Sequence, residues 1–195
     1  MKIAIATKNL GKLKEFQELA KNTQYEFFPI PANIESLPPE TGKTFYENAL
    51  IKAKFISDTL EVPAIGDDSG LEVDILNGEP GIYSARYADS GQDRDNCLKL
   101  LENLKAIKDP QRSARFKCCL VGFYKGKIIK SFGSLDGEIS TEFKGENGFG
   151  YDPIFITNSG FHLAELKKEE KNLISHRSAA FTKLCLLYTS DAADE

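Results

Sequence analysis

Short apolar runs alternate with helical apolar stripes through the first half of the chain. Residues 2–6 and 25–28 are predicted strands, and the segment between them repeats its apolar residues at the spacing of a helix. Thr44 followed by Glu47 predicts a capping box that begins a second helix. A third amphipathic helix is predicted over residues 93–107. Such alternation of strands and helices is typical of an α/β fold.

The second half of the chain begins with β-rich patterns. Residues 113–124 and 127–135 are predicted as a hairpin joined by a two-residue turn, and Asp136-Gly137 is predicted as the next turn. Helical spacing returns over residues 163–187. We therefore predict a mixed sheet with flanking helices, arranged as two lobes with a cleft between them.

Composition limits the range of partners. Of the 195 residues, 41% are hydrophobic, which is enough for one sizeable core. The formal net charge is −4 with mixed signs, so no basic surface for nucleic acid or an anionic membrane is expected. No apolar run approaches the roughly 20 residues that a membrane span needs, so no contact with a membrane is predicted.

The chain is predicted to be cytoplasmic. Its first strand begins at residue 2, which leaves no room for a signal peptide. The four cysteines have no paired spacing and are predicted to be free thiols in a reducing compartment. With only two histidines, a zinc site is not expected.

The C-terminal residues differ in character from the rest. We predict a single domain over residues 1–188, followed by an atypical polar tail over residues 189–195. The tail breaks off an amphipathic helix with acidic and alanine residues. It is interpreted either as a truncation or sequencing scar or as an ordinary frayed terminus.

The acidic pair Asp67-Asp68 is the first candidate for chemistry. It is predicted at a strand end, flanked by Gly66 and Gly70. An isolated pair of this kind is more often an acidic turn between strands. Adjacent carboxylates also suit a hard cation held against a phosphate. The choice depends on which other residues converge on this point.

A strand–loop–helix segment near the N-terminus is the second candidate. Backbone N–H groups at a helix N-terminus, with a nearby lysine, can bind phosphate. Taken alone, such a loop is equally well an ordinary turn. Glu40 is either a solvated loop residue or a second metal ligand, and Lys52 is either exposed or directed at phosphates. The loop residues are Thr7, Lys8, Asn9, Leu10, Gly11 and Lys12.

Two later segments complete the candidate set. Phe149, Gly150, Tyr151 and Asp152 can stack on a planar base and bond its edge, although a core-facing aromatic pair is the commoner explanation. Lys171, His176 and Arg177 are interpreted as a clamp for a base edge or phosphate, or as a solvated charged face. Lys171 and Ser175 are predicted to share one helix face.

These segments, in this order, resemble the noncanonical purine nucleoside triphosphate pyrophosphatases, the inosine/xanthosine triphosphatase family. The resemblance extends from residue 2 to about 187, and the residues after Tyr188 depart from the family's pattern. The matching segments are residues 7–12, 40–49, 67–71, 80–87, 148–153 and 169–177.

The resemblance implies an elongated α/β fold with a central mixed sheet, a nucleotide in the cleft between two lobes, and a homodimer. It implies hydrolysis of ITP, dITP and XTP to the monophosphate and diphosphate. Glu40 and Asp68 would bind one Mg²⁺ per subunit, Asp68 would accept the proton of the attacking water, and Asp67 would orient it. Substrate would contact Thr7, Lys8, Asn9, Leu10, Gly11, Lys12, Lys52, Ser69, Phe149, Gly150, Tyr151, Asp152, Lys171, His176 and Arg177.

Two alternatives stay open at this point. One is a Maf-like pyrophosphatase that acts on modified or pyrimidine nucleoside triphosphates. The other is a nucleotide-binding module that does not hydrolyse its ligand. Hydrogen-bond donors such as His176 and Arg177 suit the 6-oxo group of a noncanonical purine and mispair with the amine of adenine, which favours the purine interpretation.

Overall fold

The computed structural model describes residues 2–21, 23–108 and 111–191. Short 3₁₀ turns connect several of its elements. The strands and helices, in chain order, are β1 (Lys2–Ala6), α1 (Leu10–Ala20), β2 (Glu26–Pro29), α2 (Phe45–Leu60), β3 (Ala64–Val73), α3 (Asp93–Lys105), β4 (Ser113–Tyr124), β5 (Lys127–Ile139), β6 (Phe155–Thr157), α4 (Lys168–Ile174) and α5 (His176–Asp191).

The strands form one six-stranded mixed sheet in the order β2-β1-β3-β4-β5-β6. β1 runs parallel to β2 and β3, and β5 runs antiparallel to β6. The predicted α/β class and mixed sheet are confirmed. Among the helices of the described residues, none is long and apolar enough to cross a bilayer.

The described residues fall into two compact units. Unit 1 takes those within Met1–Asp68, Cys118–Gly133 and Arg177–Glu195, and unit 2 those within Ser69–Lys117 and Ser134–His176. The domain boundary at residue 188 and the cleft stay predictions. α5 includes the first three residues of the predicted tail, and residues 192–195 lie outside the described part of the chain.

Alternation along β1 builds the core of unit 1. Ile3 and Ile5 belong to a cluster with Phe16 of α1 and Phe181 of α5. The residues between and after them, Ala4 and Ala6, belong to a second cluster with Ile56 of α2. Successive side chains of a strand point to opposite faces, so β1 is covered on both sides. Unit 2 has its own core, built from Leu71, Val73, Leu100, Leu104, Phe116, Ile154 and Phe155.

Two segments, one predicted at a strand end and the other as a turn, are in fact strand interiors. Asp67-Asp68 lies inside the continuous ten-residue β3, and Asp136-Gly137 lies inside β5. The glycines at both places serve close packing. A Cβ at Gly66 would overlap the carbonyl oxygen of Ala49 in α2, and one at Gly137 would overlap the carbonyl oxygen of Ile156 in β6. Glycine was interpreted as a sign of a turn where it marks contact between backbones.

Replacement of Gly66 by alanine should therefore destabilise the protein. The added methyl group forces α2 away from β3, and overpacking of this kind costs about 1–3 kcal/mol. Gly11→Ala is the opposite case, because alanine forms helix more readily than glycine, although in the first turn of α1 the gain stays below the roughly 1 kcal/mol of an interior position. Urea unfolding followed by circular dichroism measures both. Equal effects on the midpoint would contradict the packing role of Gly66.

Candidate active site

The loop between β1 and α1 is shaped by its own polar side chains. Thr7 Oγ1 accepts a hydrogen bond from the Asn9 backbone N–H at 3.1 Å. Asn9 is the N-cap of α1, and its Oδ1 accepts from the Lys12 backbone N–H at 3.0 Å. The predicted strand–loop–helix segment is present, and the positive end of the α1 dipole lies at this loop.

Lys8, Leu10 and Gly11 complete the predicted phosphate loop. Lys8 and Leu10 are exposed, and the Lys8 ammonium donates to the carbonyl oxygen of Glu35. Gly11 lies half-buried in the first turn of α1. Their predicted contacts with substrate stay predictions.

A buried lysine joins the two predicted metal ligands. Lys52 Nζ lies 2.7 Å from Glu40 Oε1 and 3.2 Å from Asp68 Oδ1. Lys52 projects from α2, Glu40 lies in the loop before it, and Asp68 is in β3. The three groups come from separate segments of unit 1, and both carboxylates converge on one small cationic group.

Burial controls the charge of this cluster. It raises the pKa of Asp68, Glu40 adds to that effect, and the positive charges of Lys52 and Lys12 oppose it. Burial alone would lower the pKa of Lys52, but Asp68 and Glu40 outweigh it and hold that pKa above its ordinary value. Lys52 therefore stays charged.

Ser69 follows Asp68 in β3 and is half-buried, and its predicted contact with substrate stays a prediction.

Asp67 binds a different set of partners from its neighbour. Its Oδ2 accepts from Arg177 Nε at 2.8 Å, and Lys12 bonds its Oδ1. Burial would raise the pKa of Asp67, but Arg177 and Lys12 hold it well below its usual range. Because neighbouring side chains of a strand point to opposite faces, the two aspartates separate into different environments. The predicted role of Asp67 in orienting Asp68 stays a prediction.

Arg177 is fully enclosed by acidic partners. The side chain is 1% exposed, and its NH1 pairs with Glu15 of α1 while its Nε pairs with Asp67. These contacts favour a role in fixing Asp67, and direct contact of Arg177 with substrate stays a prediction. Glu15 was not among the predicted site residues. Its signal in the sequence is a charge beside Phe16, on the buried stripe of α1.

The helical C-terminal segment is interrupted. Ser175 has an extended backbone (φ −68°, ψ 150°) and separates α4 from α5. The prediction that Lys171 and Ser175 share one helix face is therefore wrong. Lys171 belongs to α4 in unit 2, and Arg177 belongs to α5 in unit 1.

In unit 2, Lys171 lies between an acid and an aromatic ring. Lys171 Nζ is 2.6 Å from Asp152 Oδ2 and 4.7 Å from the centre of the Phe149 ring. The same Asp152 oxygen accepts from the Phe149 backbone N–H at 2.9 Å. An ordered aromatic face is thus combined with a charged donor and a carboxylate, which can recognise a planar polar ring.

The remaining predicted base-contacting residues have structural partners. Gly150 has a φ of +63°, which favours glycine, and its N–H donates to Asp93 Oδ2 at 2.7 Å. Tyr151 belongs to the core of unit 2, in line with the alternative interpretation of this segment. His176 is buried and stacks on Phe116 with ring centres 4.8 Å apart. Contacts of these three residues with a base stay predictions.

The donor set of unit 1 fits a magnesium ion delivered with phosphate. Mg²⁺ is commonly held by one or two carboxylates, with substrate phosphates and waters completing its octahedron. Glu40 and Asp68 supply two carboxylates that already converge on one cation, the ammonium of Lys52. Within residues 2–21, 23–108 and 111–191, no cluster of three or more His, Cys, Asp or Glu is placed to hold a metal.

Comparison with known proteins places this geometry in a family. The Ham1 family model matches residues 3–186, which include both units. The chain belongs to the Ham1 family. This Ham1-family chain is 45% identical over 190 residues to the dITP/XTP pyrophosphatase of Bacillus licheniformis, covering 95% of this chain and 96% of that protein. It is 44% identical over 187 residues to the dITP/XTP pyrophosphatase of Bacillus subtilis, covering 94% of each.

Solved structures of Ham1 proteins share its fold. A HAM1 protein from Coxiella burnetii superposes with a TM-score of 0.86 at 41% identity, covering 97% of this chain and 99% of that one. The Ham1 protein of Staphylococcus aureus gives a TM-score of 0.85 at 40% identity, covering 98% and 100%. This Ham1-family chain therefore shares its fold with these two proteins over nearly its whole length.

Proposed function

We propose that this Ham1-family chain hydrolyses the noncanonical purine nucleoside triphosphates ITP, dITP and XTP to the monophosphate and diphosphate, and so removes them from the nucleotide pool. The observation that carries the proposal is the convergence of the Glu40 and Asp68 carboxylates on the buried ammonium of Lys52. Relatives that align along nearly the whole chain are named dITP/XTP pyrophosphatases, which supports the same reaction.

In this proposal Glu40 and Asp68 hold one Mg²⁺ per subunit. When bound, the ion supplies charge neutralisation at the phosphates and acidifies a coordinated water. Asp68 accepts the proton of the attacking water. Lys52 keeps a positive charge beside both carboxylates and neutralises phosphate charge as the bond to the leaving group breaks.

The loop of residues 7–12 binds the triphosphate. The cap of Asn9 on α1 leaves the first backbone N–H groups of that helix as anion donors. Lys8 is exposed and donates to the uncharged carbonyl oxygen of Glu35, whereas Lys12 is held on the carboxylate of Asp67. This division favours Lys8 as the first contact with an arriving phosphate.

In unit 2 the ring of Phe149 stacks on the base, and Lys171 recognises its 6-oxo group. An ammonium donates only, so it pairs with the 6-oxo acceptor of hypoxanthine or xanthine and mispairs with the 6-amine of adenine. Asp152 holds Lys171 in position at 2.6 Å. His176 contributes a further donor to the same base edge.

The direct test is diphosphate release with ITP, dITP, XTP, GTP and ATP, each with and without Mg²⁺. We expect kcat/KM for the noncanonical purines to exceed that for ATP by about 10²-fold or more, because a site built on donors leaves the amine unpaired. Removal of Mg²⁺ with EDTA should stop turnover. Preference for dTTP or UTP would support the Maf-like alternative, and nucleotide binding without release of diphosphate would support the binding module.

Lys171→Met tests base recognition separately. Loss of a charged hydrogen bond should lower kcat/KM for ITP by about 10- to 100-fold, while kcat/KM for ATP falls less. Lys99→Met is the matched control, because Lys99 also lies over an aromatic ring, that of Tyr87 at 4.9 Å, but belongs to no predicted site. An unchanged ratio of ITP to ATP in Lys171→Met, or the same loss in Lys99→Met, would contradict the role. For His176→Ala the same ratio of kcat/KM for ITP to kcat/KM for ATP should fall, and an unchanged ratio would contradict a role of His176 in base recognition.

We propose in addition that the chain acts as a homodimer in the cytoplasm, as the family resemblance implies. Tyr83 of unit 2 is 57% exposed, and exposed tyrosines are enriched at protein interfaces. Analytical ultracentrifugation should give twice the chain mass of 21.6 kDa. Sedimentation at the single mass at micromolar concentration would contradict the dimer.

A further inference from the structure

The side chain of Asn48 joins the two segments that carry Glu40 and Asp68. Its Nδ2 donates to Asp68 Oδ2 at 3.2 Å in β3, and its Oδ1 accepts from the Gly42 backbone N–H at 2.8 Å. Gly42 lies two residues after Glu40 in the loop before α2. The orientation of the amide follows from its partners, because a carboxylate only accepts and a backbone N–H only donates.

An asparagine is unfavourable at this position without these two bonds. Asn48 is 0% exposed within α2, where asparagine forms helix less readily than alanine. A buried amide also loses its hydration, so it must find partners in the protein. The two hydrogen bonds supply them, and both lead to the segments of the predicted metal ligands.

The absence of a side chain at Gly42 allows the loop to contact this amide. A Cβ at Gly42 would lie 2.6 Å from Asn48 Oδ1, so the loop approaches the helix as closely as glycine allows. Lys52, one turn further along α2, binds Glu40 and the other oxygen of Asp68. The same helix therefore holds both segments at two points, through Asn48 at the Gly42 backbone and through Lys52 at the Glu40 carboxylate.

We propose that Asn48 is a positioning residue that sets the separation of the Glu40 and Asp68 carboxylates, and so the affinity of the site for a divalent cation. The inference rests on the proposed function for Glu40 and Asp68 as metal ligands and for the identity of the reaction. The amide contacts no reacting atom and acts through Asp68 and the Glu40 loop. Groups that orient metal ligands typically change affinity by about 10- to 100-fold when they are removed.

The test is Asn48→Ala, with Mn²⁺ as the probe. Metal-free protein is titrated with Mn²⁺, with and without diphosphate, and the free ion is followed by electron paramagnetic resonance. We expect binding about 10- to 100-fold weaker than in the wild type. With ITP, the Mg²⁺ concentration for half-maximal rate should rise by a similar factor. The KM for ITP at saturating Mg²⁺ should change little.

Asn96→Ala is the matched control. Asn96 is also a buried helical asparagine that ties a loop to its helix, since its Oδ1 accepts from the Ala88 N–H at 2.7 Å and its Nδ2 donates to the carbonyl oxygen of Ala85. It has no carboxylate partner among these bonds. Its replacement should lower the melting temperature and leave Mn²⁺ affinity unchanged.

A second variant, Gly42→Ala, reaches the same contact from the loop and keeps the proposal testable if Asn48→Ala does not fold. Mn²⁺ affinity within about threefold of wild type in the folded variants, or an equal loss in Asn96→Ala, would overturn the proposal. Hydrolysis of ITP by a wild-type protein that binds no Mn²⁺ would also overturn the proposal for Asn48. That result would leave the proposed hydrolysis of noncanonical purine nucleoside triphosphates in place. Mn²⁺ binding that depends on Asn48, in a protein without ITP hydrolysis, would support the positioning role of Asn48 and overturn the proposed function alone.

Discussion

Asp68→Asn should reduce kcat for diphosphate release from ITP by about 10²- to 10⁴-fold, the usual contribution of a general base. The amide cannot accept the proton of the attacking water, and it is a poorer ligand for a cation than a carboxylate. The fold should survive, because asparagine has nearly the same shape and Lys52 keeps Glu40 as a partner at 2.7 Å. Steady-state kinetics and thermal melting measure the two effects.

Asp74→Asn is the control for this experiment. Asp74 directly follows β3, the strand that contains Asp68, but it pairs with Arg115 at 2.8 Å and is 46% exposed. Its replacement should leave turnover unchanged. Full activity in Asp68→Asn would contradict its assignment as the base. A loss of activity that is matched by loss of folded protein would assign Asp68 to stability instead of chemistry.

Arg177→Met should cost the largest amount of stability of any single replacement considered. It leaves the buried carboxylates of Asp67 and Glu15 without their shared partner, and breaking such a pair costs about 3–5 kcal/mol. Urea unfolding at neutral pH measures the loss. The added replacement Glu15→Gln should recover part of it, because it removes one of the two negative charges that Arg177 neutralises.

Arg115→Met is a matched comparison, because Arg115 also bridges two acids, Asp74 at 2.8 Å and Asp136 at 3.4 Å. Its side chain is 34% exposed, so the solvent screens these pairs and the cost should be about 1 kcal/mol or less. If Arg177→Met cost no more than Arg115→Met, the buried network would not contribute as its geometry indicates.

Local patterns predicted the elements nearest to the site. The limits of β1 agree with the apolar run, and Thr44 caps α2 by accepting from the Glu47 backbone N–H at 3.1 Å. Only half of the predicted capping box forms, because the Glu47 carboxylate accepts from the Lys43 N–H instead of that of Thr44. Caps and strand starts depend on residues a few positions apart, which is why sequence alone identified them.

Contacts between distant segments were not predictable in the same way. Glu15 and Arg177 are 162 positions apart, and Asn48 meets Asp68 across 20. Nothing in the local pattern specifies such pairs. The family resemblance directed attention to Arg177 as a substrate contact, whereas its burial between two acids indicates a partner inside the protein. Ser175 likewise breaks a helix through an extended backbone that its neighbours in sequence do not require.

The alternation of side chains along β3 gives two neighbouring aspartates opposite shifts in pKa. Asp67 and Asp68 are chemically identical and share a peptide bond, yet the pKa of the first is depressed and that of the second is raised. A dipeptide moved to a loop would lose this contrast, because nothing would then direct the two carboxylates to opposite sides. A graft of this site onto another scaffold must therefore include the strand and the segments that pack on both of its faces, because the dipeptide alone does not carry the difference in pKa.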